Sequence, residues 1–275
     1  MGKTWFITGC SSGLGKTLAQ RALLRGHSVV ATARNPGQLA ELVASAPERC
    51  RAVALDVTNA AQNRAAVEEA LAVFGAIDVL CPNAGYGMIG GLEECSPEQV
   101  ERNLATNLLG PMHLFRAALP AMRAARKGHV LAVSAIAALS NHDGFSVYGG
   151  AKAGLEGVCE ALAIELKPLG IKVTIVLPGP TRTDFASRSL EPGAVPIPDY
   201  QQTAGKFAAF LKQIVGKQTG DPVKVADLMI DVTEDPAPPL RLVTGRYAVN
   251  RARAKLRSLG AEMDAWEARS LATDF

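Results

Sequence analysis

Thr8-Gly9-Cys10-Ser11-Ser12-Gly13-Leu14-Gly15 decides the fold of this chain. The octet follows the apolar run Trp5-Phe6-Ile7, which reads as a buried strand, and precedes residues 16–24, which read as an amphipathic helix. Strand, glycine-rich turn and helix in that order form a cradle for a phosphate. The helix N-terminus offers free backbone N–H groups and a positive dipole end, and the glycines let a diphosphate come close. Gly15-Lys16-Thr17 also looks like the end of a nucleoside-triphosphate loop. That loop needs glycine at position 10, where Cys10 sits, and Gly9 stands one residue too early. Loop length governs whether successive N–H groups converge on one phosphate, so the triphosphate reading is the weaker one.

Outward from the octet, strand and helix signals alternate. Short Val-, Ile-, Leu- and Ala-rich stretches at 5–8, 28–33, 51–55, 77–81, 129–133, 172–177 and 240–244 read as strands buried on both faces. Helical patterns lie near 15–25, 38–45, 60–74, 97–126 and 146–167. This order predicts an α/β fold: one doubly wound parallel sheet of the Rossmann type, a single domain over residues 1–275. Ligands of such sheets bind beyond the carboxyl ends of the strands. Pro178, Pro180, Pro192, Pro196 and Pro198 mark a long irregular excursion, and a substrate loop is expected around 178–210. A charged helical tail is expected around 248–271.

Bulk properties exclude several classes. The net charge of +3 lacks the concentrated basic character of a nucleic-acid binder. No apolar run is long enough to span a bilayer, and the chain opens on its first strand without a signal-peptide pattern. The five cysteines are irregularly spaced, without a C-x-x-C, and read as reduced small hydrophobes of a cytoplasmic protein. Neither they nor the four histidines have metal-ligand spacing, so no metal site is expected.

Far along the chain stands Tyr148-Gly149-Gly150-Ala151-Lys152. Four residues on a helix bring Tyr148 and Lys152 to one face. A carbonyl that accepts hydride needs a proton, and tyrosine can supply it. Its ordinary pKa near 10 is poorly matched to neutral pH, and an adjacent ammonium is expected to lower it. A nucleotide cradle with this pair points to redox chemistry on a carbonyl or alcohol.

Thr8-Gly9-x3-Gly13-x-Gly15 resembles the cofactor motif of the classical short-chain dehydrogenase/reductase family, and the resemblance continues along nearly the whole chain. Asn83-Ala84-Gly85 is similar to the family's N-A-G element after the fourth strand, and Tyr148-x3-Lys152 to its catalytic pair. Asn107 lies in a stretch like the one carrying the catalytic asparagine. Pro178-Gly179-Pro180-Thr181 is similar to the element at the nicotinamide end. The opening motif, Ala31-Thr32-Ala33-Arg34 and the P-G-P-x-x-T-x-F segment look like the 17β-hydroxysteroid dehydrogenase branch.

The resemblance implies an oxidoreductase interconverting a hydrophobic ketone and a secondary alcohol, with Tyr148 as general acid/base. Lys152 would also hold the nicotinamide ribose, and Asn107 would position a relay water. Gly9, Ser11, Ser12, Gly13, Leu14, Gly15, Asn83, Ala84, Gly85, Pro178, Gly179, Thr181 and Thr183 would line the cofactor with Tyr148 and Lys152. Past the second strand there is no acid to bind a ribose hydroxyl, and Arg34 is placed to accept a 2′-phosphate, so NADP(H) is favoured over NAD(H). Asp56 and Val57 would lie by the adenine; a helix cap before Asn59 is an equal explanation. Met88, Ile89, Phe145, Phe185, Leu190 and Phe207 are candidate substrate walls. The helices at 97–126 and 146–167 correspond to the family's dimer interface, so a homodimer or homotetramer is expected.

One departure stands out. The family's substrate-binding serine belongs at position 135, which is alanine, and Ser134 is one residue early. A one-residue slip on a strand turns a side chain to the opposite face. Either Ser134 reaches inward, or the oxyanion donor is missing, leaving a slow enzyme, a cofactor-binding protein or a lyase or isomerase on the same scaffold. Ser140, His142 and Ser146 are further candidates for the role.

Overall fold

The computed structural model describes residues 2–275. In chain order the elements are β1 (Thr4–Ile7), α1 (Gly13–Leu24), β2 (Ser28–Ala33), α2 (Ala40–Ser45), β3 (Cys50–Ala54), α3 (Ala60–Phe74), β4 (Val79–Cys81) and β5 (Gly87–Ile89). Then follow α4 (Pro97–Leu104), α5 (Gly110–Ala125), β6 (Gly128–Val133), α6 (Ile136–Leu139), α7 (Ser146–Leu166) and β7 (Ile171–Pro178). The chain closes with α8 (Phe185–Arg188), β8 (Leu190–Pro192), α9 (Lys206–Gln213), α10 (Pro222–Glu234), β9 (Arg241–Thr244) and α11 (Arg246–Leu271).

Seven parallel strands form one sheet in the order β3-β2-β1-β4-β6-β7-β9, as the alternation of strand and helix signals predicts. Side chains alternate strictly between its faces. Trp5, Ile7, Val29, Ala31, Val79, Cys81, Leu131 and Val133 pack towards Leu18, Ala22, Met229 and Ile230 of α1 and α10. Phe6, Val30, Leu80, Val130, Ala132 and Ile175 pack towards Val67, Leu114, Phe115 and Leu155 of α3, α5 and α7. Both faces are covered, which is why the strands read as continuous apolar runs. The strand order reverses between β1 and β4, which opens a crevice at their carboxyl ends.

Three local features depart from the expectations. The helical stretch at 97–126 is α4 and α5 joined by one π-helical turn, Ala105–Leu109, which carries Asn107. The proline-rich excursion is not wholly irregular: β8 pairs in parallel with β5 as a second, two-stranded sheet. Three-residue strands paired across such a sequence distance leave no periodic signal. Helix α10 went unread although Asp221-Pro222 is a regular start signal, with Asp221 capping the N–H groups of Val223 and Lys224. Its Asp227 pairs with Arg21 at 2.8 Å and Arg25 at 3.1 Å, fastening α10 to α1.

Candidate active site

A cleft of about 1030 Å³ runs along the carboxyl ends of the strands. All the sequence-predicted cofactor residues line it: Gly9, Ser11, Ser12, Gly13, Leu14, Gly15, Arg34, Asp56, Val57, Asn83, Ala84, Gly85, Pro178, Gly179, Thr181 and Thr183. Tyr148, Lys152 and Ser134 line it too; Asn107 lies fully buried just behind.

The cradle is made by two strand ends meeting at the reversal point. Thr8 Oγ1 accepts from the backbone N–H of Asn83 and of Ala84, both at 2.9 Å, and Asn83 Nδ2 donates to Thr8 O at 2.8 Å. Gly9 takes φ +71° and lies so close that a Cβ there would sit 2.9 Å from Ala84 Cα. A Cβ at Gly15 would collide with Asn83 Nδ2 and Gly9 O. Ser12 precedes α1 without capping it by its side chain, so the first N–H groups of the helix are left for a ligand. This is the donor set an anionic diphosphate needs, so the residues present fit a dinucleotide. Thr183 faces Gly13 across the opening.

At the far ends of β2 and β3 the wall is Arg34 and Asp56. Arg34 makes no ion pair or side-chain hydrogen bond among the described residues. Asp56 closes a local turn, accepting from Thr58 N at 3.0 Å and Thr58 Oγ1 at 2.8 Å. Capping of α3 falls to Asn59, which accepts from Ala61 N and Gln62 N. Asp56 is therefore not the helix cap itself.

Tyr148, Lys152 and Glu156 follow one another at successive turns of α7 and are all buried. Lys152 Nζ donates to Val133 O at 3.0 Å, tying α7 to the end of β6. Burial lowers the Lys152 pKa to about 8. Burial likewise pushes the Tyr148 phenol above its ordinary value. Burial thus moves the phenol in the direction opposite to the one expected from an adjacent ammonium, and the same burial works against the charge on Lys152. Asn107 Nδ2 donates to Tyr86 O at 2.9 Å and to Asn103 O at 3.1 Å, while its buried Oδ1 has no partner. A Cβ at Gly85 would lie 2.5 Å from that Oδ1 and 3.3 Å from Lys152 Nζ, so only glycine lets the asparagine and the lysine approach the same point.

The strand parity settles where Ser134 goes. It shares the face of Ala132, towards α7, and its hydroxyl donates to Glu156 Oε1 at 3.0 Å. Glu156 Oε2 accepts from Arg241 Nε at 3.0 Å, and Arg241 also pairs with Glu160 at 2.9 Å. The Ser134 hydroxyl is thus committed to a buried polar network. Ala135, the next residue, packs in the apolar cluster that contains Tyr148. Of the two readings of this position, the inward-reaching Ser134 is the one this hydrogen bond speaks against. Of the other polar candidates, His142 lines the cleft and Ser140 and Ser146 do not. Glu156 was missed, although Tyr148-x3-Lys152-x3-Glu156 is a visible stripe at helical spacing.

Around Tyr148 the walls are aromatic. Phe145 stands edge-on at 5.2 Å between ring centroids and Phe185 lies tilted at 5.6 Å. Ile89, Leu190 and Phe207 belong to the same cluster. Met88 does not: it packs with Cys95 and Val147 in a separate core, because neighbours on a strand face opposite ways. His142 stacks on Phe207 at 4.7 Å between ring centroids, and the Tyr247 hydroxyl lies 3.2 Å from His142 Nε2. Burial and the nearby Arg251 lower the His142 pKa to about 4, so it is neutral in the stack. Tyr247 and residues 217–219 join the lining without any sequence signal; long-range packing brings them there.

Among the described residues no helix is long and apolar enough to cross a membrane, and no group of three His, Cys, Asp or Glu side chains is arranged to hold a metal ion. All five cysteines are free and buried.

Comparison with known proteins agrees with this geometry. Residues 3–192 match the family model for short chain dehydrogenase. The chain is similar to the oxidoreductase BOA17 of Botryotinia fuckeliana, 39% identical over 274 residues, covering 99% of this chain and 100% of the relative. It is 35% identical over 242 residues to a 3-ketodihydrosphingosine reductase of Bacteroides thetaiotaomicron, covering 87% and 86%. The crystal structure of a short-chain dehydrogenase from Streptomyces avermitilis superposes with a TM-score of 0.93 at 36% identity, covering 99% of this chain and 98% of that one. The chain belongs to the short-chain dehydrogenase/reductase family of NAD(P)-dependent oxidoreductases.

Proposed function

We propose that the protein interconverts a bulky hydrophobic ketone and the corresponding secondary alcohol, using NADP(H) in preference to NAD(H), with Tyr148 as general acid/base. The observation that carries the reading is the meeting of two unlike surfaces at Tyr148: the glycine cradle opens on one side and the aromatic cluster of Phe145, Phe185 and Phe207 on the other. When bound, the nicotinamide supplies or accepts the hydride. Gly9, Ser12, Gly13 and Leu14 would hold the diphosphate through main-chain N–H groups, and Thr181, Thr183, Pro178 and Gly179 would border the nicotinamide end. The unpaired guanidinium of Arg34, with Ser11 near it in the cleft, supports a 2′-phosphate.

In the reductive direction the Tyr148 hydroxyl gives its proton to the developing alkoxide. The Lys152 ammonium, held by Val133 O, favours the phenolate left behind and would also hold the nicotinamide ribose. Asn107 fixes the turn against which a relay water can sit beside Lys152. The aromatic walls exclude bulk water and favour a large apolar substrate. The name of the Bacteroides relative, a 3-ketodihydrosphingosine reductase, supports reduction of a keto group.

A slower variant of this chemistry is the second reading, and Ala135 favours it. Without a donor from position 135 the oxyanion loses stabilisation of roughly 3–4 kcal/mol, about 10² to 10³ in rate. The exposed side chains Leu109 and Ile164 on the π-turn and α7 support a homodimer or homotetramer through those helices. Five buried thiols fit a reducing, cytoplasmic setting.

The test is absorbance of the reduced nicotinamide with a panel of long-chain and polycyclic ketones, NADPH and NADH in parallel. Oxidation of NADPH with matching alcohol formation is the expected result. Tight cofactor binding with no turnover on any ketone, or substrate conversion with no net cofactor change, overturns it.

A further inference from the structure

Helix α11 runs for 26 residues, about 39 Å, but touches the body of the protein only through its first turns. Ala248 and Ala252 are buried there with Ile136, beside Val243. From 253 to 271 every residue except Gly260 is exposed. A helical segment without tertiary contacts is marginal in water, because most helical stability comes from packing an amphipathic face. This segment nevertheless carries Leu256, Leu259, Met263 and Trp266, between 44% and 65% exposed. Their spacing of three, four and three is the a/d seam of a paired helix, and it continues the line of Val249 and Ala252.

The charges add a direction. Arg251, Arg253, Lys255 and Arg257 occupy the half nearest the body, and Glu262, Asp264 and Glu267 the far half, before Arg269 in the last turn. Apart from Arg269, positive charge towards the N-terminus and negative charge towards the C-terminus run against the helix dipole. They do not stabilise the helix alone. Laid antiparallel against an identical helix, each basic half meets an acidic half and the two dipoles oppose.

We propose that the distal half of α11 is an interface at which two copies of this chain associate as an antiparallel helix pair. In the register that closes the seam, Leu256 faces the partner's Trp266 and Leu259 faces the partner's Met263, with the two-fold axis beside Ala261. Arg253 then lies next to the partner's Glu267. A bilayer surface is the other occupant suited to an apolar stripe bearing a tryptophan, but the acidic far half would meet anionic headgroups. The charge pattern therefore selects a second copy.

The molar mass of the full chain by light scattering, compared with Leu259→Glu/Met263→Glu, tests the interface. The double variant lies outside the folded body, so it should keep its cofactor affinity while its mass falls by half, whatever the other helices contribute to assembly. Arg253→Glu alone should weaken association roughly tenfold, and Arg253→Glu/Glu267→Arg should restore it. An unchanged mass for Leu259→Glu/Met263→Glu overturns the proposal. So does a wild-type monomer that co-sediments with phosphatidylcholine/phosphatidylserine vesicles, a result that leaves the oxidoreductase reading untouched.

Discussion

On the side of the cleft that faces the glycine turn, the wall is mostly main chain; on the other side of Tyr148 it is aromatic side chain. The first wall comes from the turns after β1, β4 and β7, clamped by Thr8 and Asn83 through hydrogen bonds at 2.8 to 2.9 Å. The second comes from Phe145, Phe185, Phe207 and His142, carried by three separate segments of the chain and held by stacked, edge-on and tilted ring contacts. A main-chain wall recognises what every dinucleotide shares, and it tolerates little change because a Cβ has nowhere to go. A side-chain wall can be rebuilt by substitution without touching the sheet. One half is thus suited to a common cofactor and the other to a particular substrate, and Tyr148 stands where they join.

The largest effect should come from that join. Tyr148→Phe keeps the ring packing against Phe145 and Phe185 but removes the proton, and turnover should fall by about 10³ or more. Cofactor affinity, measured by fluorescence titration, should stay within about threefold. If turnover survives, the two walls meet at some other acid.

A next pair of substitutions compares neighbours that the strand parity sends to different places. Ala135→Ser should raise turnover by roughly 10 to 10², because it returns a donor to the Tyr148 cluster. Ser134→Ala should leave turnover nearly unchanged and cost about 1 kcal/mol in unfolding free energy, since Glu156 loses one of its partners. The reverse outcome, a collapse of turnover in Ser134→Ala, would place the oxyanion donor at 134.

The smallest effect concerns the main-chain wall, where Arg34 is the proposed discriminator. Arg34→Asp should shift the ratio of NADPH to NADH specificity constants towards NADH by roughly 10 to 10², while the ketone preference stays the same. A change in ketone preference would show that the two walls are coupled.

Much of this site was legible because short-range chemistry writes it. The octet at Thr8, Asn83-Ala84-Gly85 and Tyr148-x3-Lys152 each encode a turn or a helical face, and each lies in the cleft. The aromatic wall was legible only as a list of candidates. Phe145 and Phe207 meet edge-on although they are far apart in the chain, and nothing local tells Ile89 from Met88 until β5 finds β8. The upward push on the Tyr148 phenol was illegible for the same reason: pairing with Lys152 is visible at helical spacing, but burial belongs to the assembled walls.

From residues alone followed the parallel sheet, the place of the phosphate cradle, the Tyr148–Lys152 stripe and the absence of a serine at 135, since all of these rest on local periodicity and steric demand. The folded chain alone decided that Ser134 belongs to Glu156, that Asn107 sits on a π-turn behind Gly85, and that the far half of α11 stands free of the body. Those outcomes depend on which distant surfaces meet, and contact between remote segments is set by the packing of the whole core.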